Sequence, residues 1–462
     1  MVGTTFVCAM RLASALLLFL VLAAPARAAG PQIGISDDRI LLAGGSEADK
    51  AVADWSALGI QQVRILALWS RIAGPSPGAD KDWSQLDHAV NRVVGAGMEP
   101  LLTITGPGPL WTSRRSERGV ASYDPDPEEF AAFARQVAER YGDRVNRYII
   151  WNEPNLSTWL RPQTSCSRSG CTSVAPHLYR ALVRAAFPQV RAGDPGAQVL
   201  IGTMSSRGST LNAENSTHRP LAFLRAFACV NTSYKRIRTG RCKGFKPAQG
   251  DGFAFHPHGV LTAPDRAFPN PDDVSLASLG RLESALDKLQ RGGGLKATTR
   301  RLNLYIDEYG YQTNPPDKLA GISAAAQSQW LQRAGYQAWR DPRVKLLTQY
   351  LWRDEPRGLS GGYSGWQSGL FYEDGRAKPS LKTFARPFVL DGPRGRLWGQ
   401  VRDRGTRTVT VQRRLRGSST WRTVGTRTTD ANGYWSWTTR LLTGASYRYL
   451  AAGAASATVS RR

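Results

Sequence analysis

The 462-residue sequence predicts an α/β chain: a (β/α)8 TIM barrel followed by a small C-terminal all-β, immunoglobulin-like sandwich. Three observations carry that prediction. Residues 33–388 alternate between short apolar runs and stretches with apolar residues at helical spacing. No glycine-rich phosphate loop follows the first run, which sets aside an open doubly wound sheet; Gly44-Gly45 lacks the spacing. Beyond Pro387 the pattern changes to short runs of alternating polarity, with turn residues every 8–12 positions.

The elements follow in chain order. Arg11, the apolar stretch Leu12–Ala24 and the small-x-small triplet Ala26-Arg27-Ala28 read as a secretory signal, with cleavage expected after Ala28. The stretch is too short to favour a membrane span, and no later run is long enough for one. Strands are expected at Gln32–Ser36, Gln62–Leu68, Glu99–Thr105, Arg147–Trp151, Gln198–Met204, Gly252–His256, Leu302–Glu308 and Leu346–Trp352. Several are continuous apolar runs, as strands covered on both faces require. Between them, Asp126-Pro127-Glu128-Glu129 reads as a cap, a first-turn proline and two first-turn acids. It leads into the stripe Phe130, Phe133, Val137 and Tyr141. Further helices are expected over Leu178–Val190, Ser275–Gln290 and Ser323–Trp339. Eight strand–helix units suit a barrel placed at 29–388. Residues 396–403, 406–415, 421–430, 434–441 and 446–453 supply the strands of a second domain, 391–462. Its Trp398, Trp421, Trp435 and Trp437 either bind glycans or fill the core, and a domain this small needs them inside.

Composition narrows the function classes. Cys166, Cys171, Cys229 and Cys242 remain once the signal is removed. In an exported chain they suggest disulfides Cys166–Cys171 and Cys229–Cys242 rather than a zinc cluster. The formal charge is +25, and residues 391–462 hold 14 arginines against Asp391, Asp403 and Asp430, a net +11. That tail is read as a surface for an anionic cell-wall polymer, with a solvated arginine-rich face as the plainer alternative. No specific nucleic-acid partner is expected.

The chemistry sits at strand ends. Tyr148-Ile149-Ile150 runs into Trp151-Asn152-Glu153-Pro154-Asn155, and Leu304-Tyr305-Ile306 runs into Asp307-Glu308. A carboxyl group at the end of a buried strand is costly unless paired, hydrogen-bonded or used. Two such ends can oppose carboxylates across one pocket, the equipment of glycoside hydrolysis. Strand alternation groups Glu308 with Leu304 and Ile306 and puts Asp307 on the other face, so Glu308 is preferred over Asp307 as a nucleophile. Asn152 and Glu153 cannot both face a pocket from a regular strand, so a bend is expected there. Phe255-His256-Pro257-His258 ends the sixth strand. Its H-x-H pair lacks companion ligands in the sequence, and neither a metal nor a cofactor is expected.

Trp-Asn-Glu-Pro-Asn ending the fourth strand, with a glutamate ending the seventh, resembles glycoside hydrolase clan A, the retaining (β/α)8 enzymes; family 39 and its relatives are the nearest pattern. The resemblance covers most of residues 33–388. It implies Glu153 as acid/base, Glu308 as nucleophile and Asn152 as a hydrogen-bond partner of the sugar 2-hydroxyl. It also implies that Arg64, within Val63-Arg64-Ile65, pairs with the nucleophile, and that Trp352 stacks on the sugar ring. His256 is read as a −1 subsite or nucleophile-orienting hydrogen bonder, where many clan members carry a tyrosine. Trp111, Trp159, Trp366 and Tyr311 are either outer sugar platforms or loop packing. Asp374-Gly375-Arg376-Ala377-Lys378-Pro379 resembles the segment that closes such barrels. The expectation is a secreted, cell-wall-associated retaining glycosidase acting on a poly- or oligosaccharide. The alternative is a non-catalytic carbohydrate- or polyanion-binding protein on the same fold.

Overall fold

A computed structural model describes residues 1, 3, 30–356, 365–392, 395–403 and 405–461. Apart from residues 1 and 3, the expected signal segment lies outside the described residues. Eight parallel strands close into a barrel in sequence order: β1 (Gln32–Ser36), β2 (Gln62–Leu68), β3 (Glu99–Thr105), β4 (Arg147–Ile150), β5 (Gln198–Ser205), β6 (Gly252–His256), β7 (Leu304–Tyr309) and β8 (Val344–Tyr350). The seam joins β1 to β8, with Gln32 opposite Leu346 and Ser36 opposite Tyr350. β8 begins and ends two residues earlier than the sequence suggests, and β4 stops one residue earlier.

A principal helix follows each strand: α1 (Gly45–Ala57), α2 (Ser84–Gly95), α3 (Pro127–Tyr141), α4 (Ala175–Gly193), α5 (Pro220–Phe227), α6 (Leu279–Arg291), α7 (Ala324–Arg340) and α8 (Pro379–Ala385). α3 starts as its sequence dictates: the Asp126 side chain accepts from the Glu128 and Glu129 amides, and Phe130, Phe133, Val137 and Tyr141 are buried. Leu101, Ile149, Leu200, Ala254, Tyr305 and Leu346, one from each of β3 to β8, form a separate buried cluster that fills the barrel interior. The larger apolar cluster lies between strands and helices. Cys166 is bonded to Cys171 within a hairpin after β4, and Cys229 to Cys242 after α5, both as expected.

The C-terminal domain packs two antiparallel sheets. One holds β9 (Phe388–Asp391), β10 (Arg396–Gln400) and β13 (Tyr434–Thr438). The other holds β11 (Thr408–Arg414), β12 (Arg422–Thr428), β14 (Ser446–Ala451), β15 (Ala454–Ala455) and β16 (Val459–Ser460). Trp435 sits in the core between them, with Trp437 packed at its margin. Trp398 is buried against Tyr336 and Trp339 of α7, so it fastens the domain to the barrel. Tyr434 Oη donates to the Pro31 carbonyl at 2.9 Å and Asn432 Nδ2 to the Gly30 carbonyl at 2.8 Å. These contacts precede β1, so the domain docks at the N-terminal end of the barrel strands.

The closing segment is held by a buried ion pair. Lys378 Nζ donates to Asp354 Oδ1 at 2.7 Å, Thr313 Oγ1 at 2.8 Å and the Gln367 carbonyl at 2.9 Å. Lys378→Met should destabilise the protein by about 3–5 kcal/mol, because it strands the buried Asp354 carboxyl. Adding Asp354→Leu should restore most of the loss; urea unfolding of the single and double variants measures both.

Candidate active site

Both glutamate-bearing strand ends depart from regular geometry. Trp151 and Glu153 adopt left-handed backbone, φ 71° and 34°. The Trp151 amide still continues the ladder to the Ile104 carbonyl at 2.8 Å, and its indole turns outward to meet Phe130 of α3 edge-on at 5.0 Å. The expected bend is present, and it sends both Asn152 and Glu153 inward. A Cβ on Gly106 would collide with the Trp151 ring, so this turn needs glycine opposite it.

On β7, alternation does not separate the two acids as the sequence reading expects. Tyr305 belongs to the barrel interior, and Leu304 and Ile306 to the outer core. Alternation alone would therefore aim Asp307 at the axis and Glu308 at the helices. A register irregularity between Ile306 and Tyr309 turns Glu308 inward as well. Both acids meet one guanidinium: Arg64 Nε lies 3.0 Å from Asp307 Oδ2, and Nη1 lies 2.8 Å from Glu308 Oε1. Arg64 Nη2 donates to Asn152 Oδ1 at 2.6 Å, so the buried side chain spends all three nitrogens on strand ends.

His256 is the second hub. Its Nε2 lies 3.1 Å from Asp307 Oδ2, and its Nδ1 lies 3.1 Å from Glu153 Oε1 and 3.6 Å from Glu308 Oε2. Glu153 and Glu308 thus share one ring nitrogen, and their oxygens can be no farther apart than those two contacts laid end to end. Burial works to deprotonate His256, but the charges of Glu308 and Asp307, with the hydrogen bonds to Asp307 and Glu153, raise its pKa to about 10. Burial likewise opposes ionisation of Glu308, yet His256, Arg64 and the His258 hydrogen bond hold it at about 2. The side chains of Glu153, Glu308 and Asp307 are 15%, 9% and 0% exposed, so Glu153 and Glu308 are the two that solvent or a ligand can reach.

Two residues of the pocket, Asp38 and Tyr350, escape the strand-end argument. Asp38, just past β1, accepts from the Leu66 amide at 2.8 Å. Burial is the main influence raising its pKa to about 6, helped by Glu308 and opposed by that hydrogen bond and Arg64. An acid pair, Asp37-Asp38, at the end of the first strand was the available signal. Tyr350 and His258 form an aromatic wall with Trp366, whose ring lies 5.4 Å from Tyr350 and 5.1 Å from His258 and is 36% exposed. Of the expected platforms, Trp366 is brought to the carboxylates through His258, whose Nε2 lies 3.5 Å from Glu308 Oε2.

Trp352, Tyr311 and Trp111 lie elsewhere. Because β8 ends at Tyr350, Tyr350 is its last pocket-side residue. Trp352 lies beyond the strand and packs against Trp55 of α1 at 6.3 Å and Phe371 at 4.7 Å, in the outer core. Tyr311 is buried against Trp330, its hydroxyl donating to the Thr262 carbonyl at 2.9 Å. Trp111 donates to the Gly74 carbonyl at 3.1 Å and lines a side cavity with Trp69 and Phe133.

His256, His258 and Glu308 bring three ligand atoms within 4.8 Å, supplying the companion that the H-x-H pair lacks in sequence. Both nitrogens of His256 are already engaged by carboxylates and the ring is held protonated, so it fits a charge network better than a metal centre.

Residues 35–228 match the family described as Cellulase (glycosyl hydrolase family 5). A 122-residue stretch is 27% identical to Beta-glucosidase 47 of Arabidopsis thaliana, taking in 24% of this chain and 22% of that protein's length. The fold is similar to a family 39 glycoside hydrolase from Bacteroides cellulosilyticus WH2, at TM-score 0.53 and 15% identity over 90% of this chain and 80% of that one. It is also similar to GH5_18 from Streptomyces cattleya, solved in complex with GlcNAc, at TM-score 0.50 and 18% identity over 78% and 80%. The chain thus carries a segment that matches a glycoside hydrolase family model, on a fold similar to those of glycoside hydrolases, the class that the strand-end glutamates suggest. The sequence match spans the barrel from β1 to α5, whereas the similarity of fold extends over nearly the whole chain.

The opposed pKa shifts set a stability window. Glu308, lowered to about 2 from 4.5, contributes stability that is complete above pH 4.5 and is lost as pH falls towards 2. His256, raised to about 10 from 6.5, contributes stability that is complete below pH 6.5 and is lost as pH rises towards 10. Unfolding free energy should peak between those limits. His256→Gln should flatten the alkaline arm; urea midpoints across the pH range test this, and an undiminished alkaline slope would contradict it.

Proposed function

We propose that the chain is a secreted retaining glycoside hydrolase that cleaves a poly- or oligosaccharide by double displacement. One observation carries the reading: Glu153 and Glu308 approach the same ring nitrogen, at 3.1 and 3.6 Å. That closeness suits the roughly 5–5.5 Å separation of retaining pairs better than the wider gap that leaves room for an inverting water.

Glu308, kept ionised, attacks the anomeric carbon while Glu153 gives its proton to the departing glycosidic oxygen. The bond to the leaving group breaks as the Glu308 ester forms. In the second step Glu153 takes a proton from water, the hydroxyl adds to the anomeric carbon, and Glu308 leaves as carboxylate. Arg64 and His256 balance the charge that returns to Glu308, with no reorganisation needed. Asn152, its oxygen held by Arg64, keeps its amide N–H groups for the sugar 2-hydroxyl. Trp366 offers the open aromatic face against which a sugar ring can stack. Export is supported by the two disulfides, and among the described residues no helix is long and apolar enough to cross a membrane. The arginine-rich second domain is assigned an anionic cell-wall polymer as partner.

Glu308→Ala should lower kcat by roughly four to six orders of magnitude while leaving the fold intact. Glu153→Ala should be rescued by azide on an activated aryl glycoside, giving a glycosyl azide of retained configuration. A first-formed product of inverted configuration, or turnover unchanged in both variants, would remove the assignment.

A further inference from the structure

The outer face of the second sheet of the C-terminal domain carries a cluster that the barrel chemistry does not use. On β11, Val409 and Val411 are buried, so Thr410, Gln412 and Arg414 lie on the opposite, outward face. Arg448 of β14 stands opposite Gln412, and Trp421 immediately precedes β12. The Arg414 and Arg448 guanidinium groups lie over the Trp421 ring, at 5.0 and 4.3 Å from its centroid. Arg448 Nε donates to Gln412 Oε1 at 2.9 Å. Among the described residues, no carboxylate pairs with either arginine. The acids of this domain are engaged elsewhere: Asp391 with Arg333 and Tyr336, Asp403 beside Arg386 and Arg407, and Asp430 with the amides of Asn432 and Tyr434.

We propose that this face binds a uronate-containing polysaccharide, with Arg414, Arg448 and Gln412 as the contacts and Trp421 as the platform that orients them. The inference rests on, and sharpens, the assignment of an anionic polymer to this domain. A guanidinium lying over a ring can turn its in-plane N–H groups to a carboxylate in a two-bond fork; Arg448 has given Nε to Gln412 and keeps its two terminal nitrogens for this. Stacking also limits the rotamer freedom that each arginine would otherwise lose on binding. The Gln412 amide nitrogen is left to donate to a carboxylate or hydroxyl oxygen. Single-stranded nucleic acid would want open aromatic faces for its bases, and here the indole is already covered by cations.

Placement gives the face a role distinct from cleavage. The domain docks through Gly30 and Pro31, ahead of β1, whereas Glu153 and Glu308 lie at the opposite ends of their strands. A polymer held here is not delivered to the cleft by the same contact, so the face anchors the enzyme and leaves the cleft free to work on its surroundings.

The test uses the full chain with immobilised polygalacturonate, a neutral glucan and inorganic polyphosphate. The natural protein should bind polygalacturonate, with an affinity that falls as salt rises, and should bind the other two more weakly. Arg414→Gln with Arg448→Gln should weaken binding by about tenfold or more and reduce the salt slope by about 2. Arg414→Lys with Arg448→Lys, which keeps the charge but loses the fork, should also weaken it. The charge-matched pair Arg427→Gln with Arg440→Gln should change it by less than about threefold. Glycoside turnover should stay at the natural level in every variant, which separates this outcome from any failure at the barrel site. Equal loss in the two glutamine pairs, or stronger binding to polyphosphate, would overturn the proposal while leaving a polyanion partner standing. Absence of any polygalacturonate binding by the natural protein would overturn both.

Discussion

One buried guanidinium organises the pocket. Arg64 stands in β2 and reaches the ends of β4 and β7 at once, holding Asn152, Asp307 and Glu308 with separate nitrogens. A buried cation is tolerated only when its charge and its donors are satisfied, and the same holds for each acid it meets. Asp307 is the least accessible partner, and it also receives His256 from the other side. It therefore balances the two cations, leaving Glu308 to meet both of them from a position that a substrate can reach. The result is a fixed field around Glu308, assembled before any ligand arrives.

That field is supported from outside the barrel. Phe130 of α3 meets the Trp151 indole edge-on, and Phe133 stacks on Trp69 at 5.6 Å, so the capped helix is pressed against the loop that carries Asn152 and Glu153. The left-handed backbone at Trp151 and Glu153 is conformationally costly for residues with side chains. It persists because the indole is buried on one side of the turn and the polar pair is bonded on the other.

Much of this could be read from residues alone. Continuous apolar runs mark strands covered on both faces, and eight of them separated by amphipathic stretches leave few architectures besides a closed barrel. Glu153 and Glu308 were legible because acids at the ends of such runs need a reason. What escaped depends on departures from regularity. Alternation puts Asp307 and Glu308 on opposite faces, whereas the β7 irregularity, which leaves no composition signature, brings both to Arg64. A strand read as Leu346–Trp352 ends on Trp352 and hides Tyr350 in the middle of a run, whereas β8 ends at Tyr350. Trp366 lies well past β8, and its return to the pocket beside His258 is a tertiary fact that no local pattern carries. Tyr311 and Trp111 show the converse: aromatic residues in loops more often complete packing than present a face.

The seam between β1 and β8 has a bearing on how the molecule comes into being. Gln32 finds its partner at Leu346, and Gly30 and Pro31 are gripped by Asn432 and Tyr434. A chain emerging from the ribosome has to carry its first strand with one edge unpaired until almost everything else has been made. Pairings between such remote segments form slowly, since a large loop must be ordered before they repay it. Premature termination at any point before Tyr350 leaves two open sheet edges, a template for aggregation instead of a smaller working barrel. The same delay suits the export proposed above, in which a chain crosses a membrane as an unfolded thread, because the last piece translated is the one that locks the first in place.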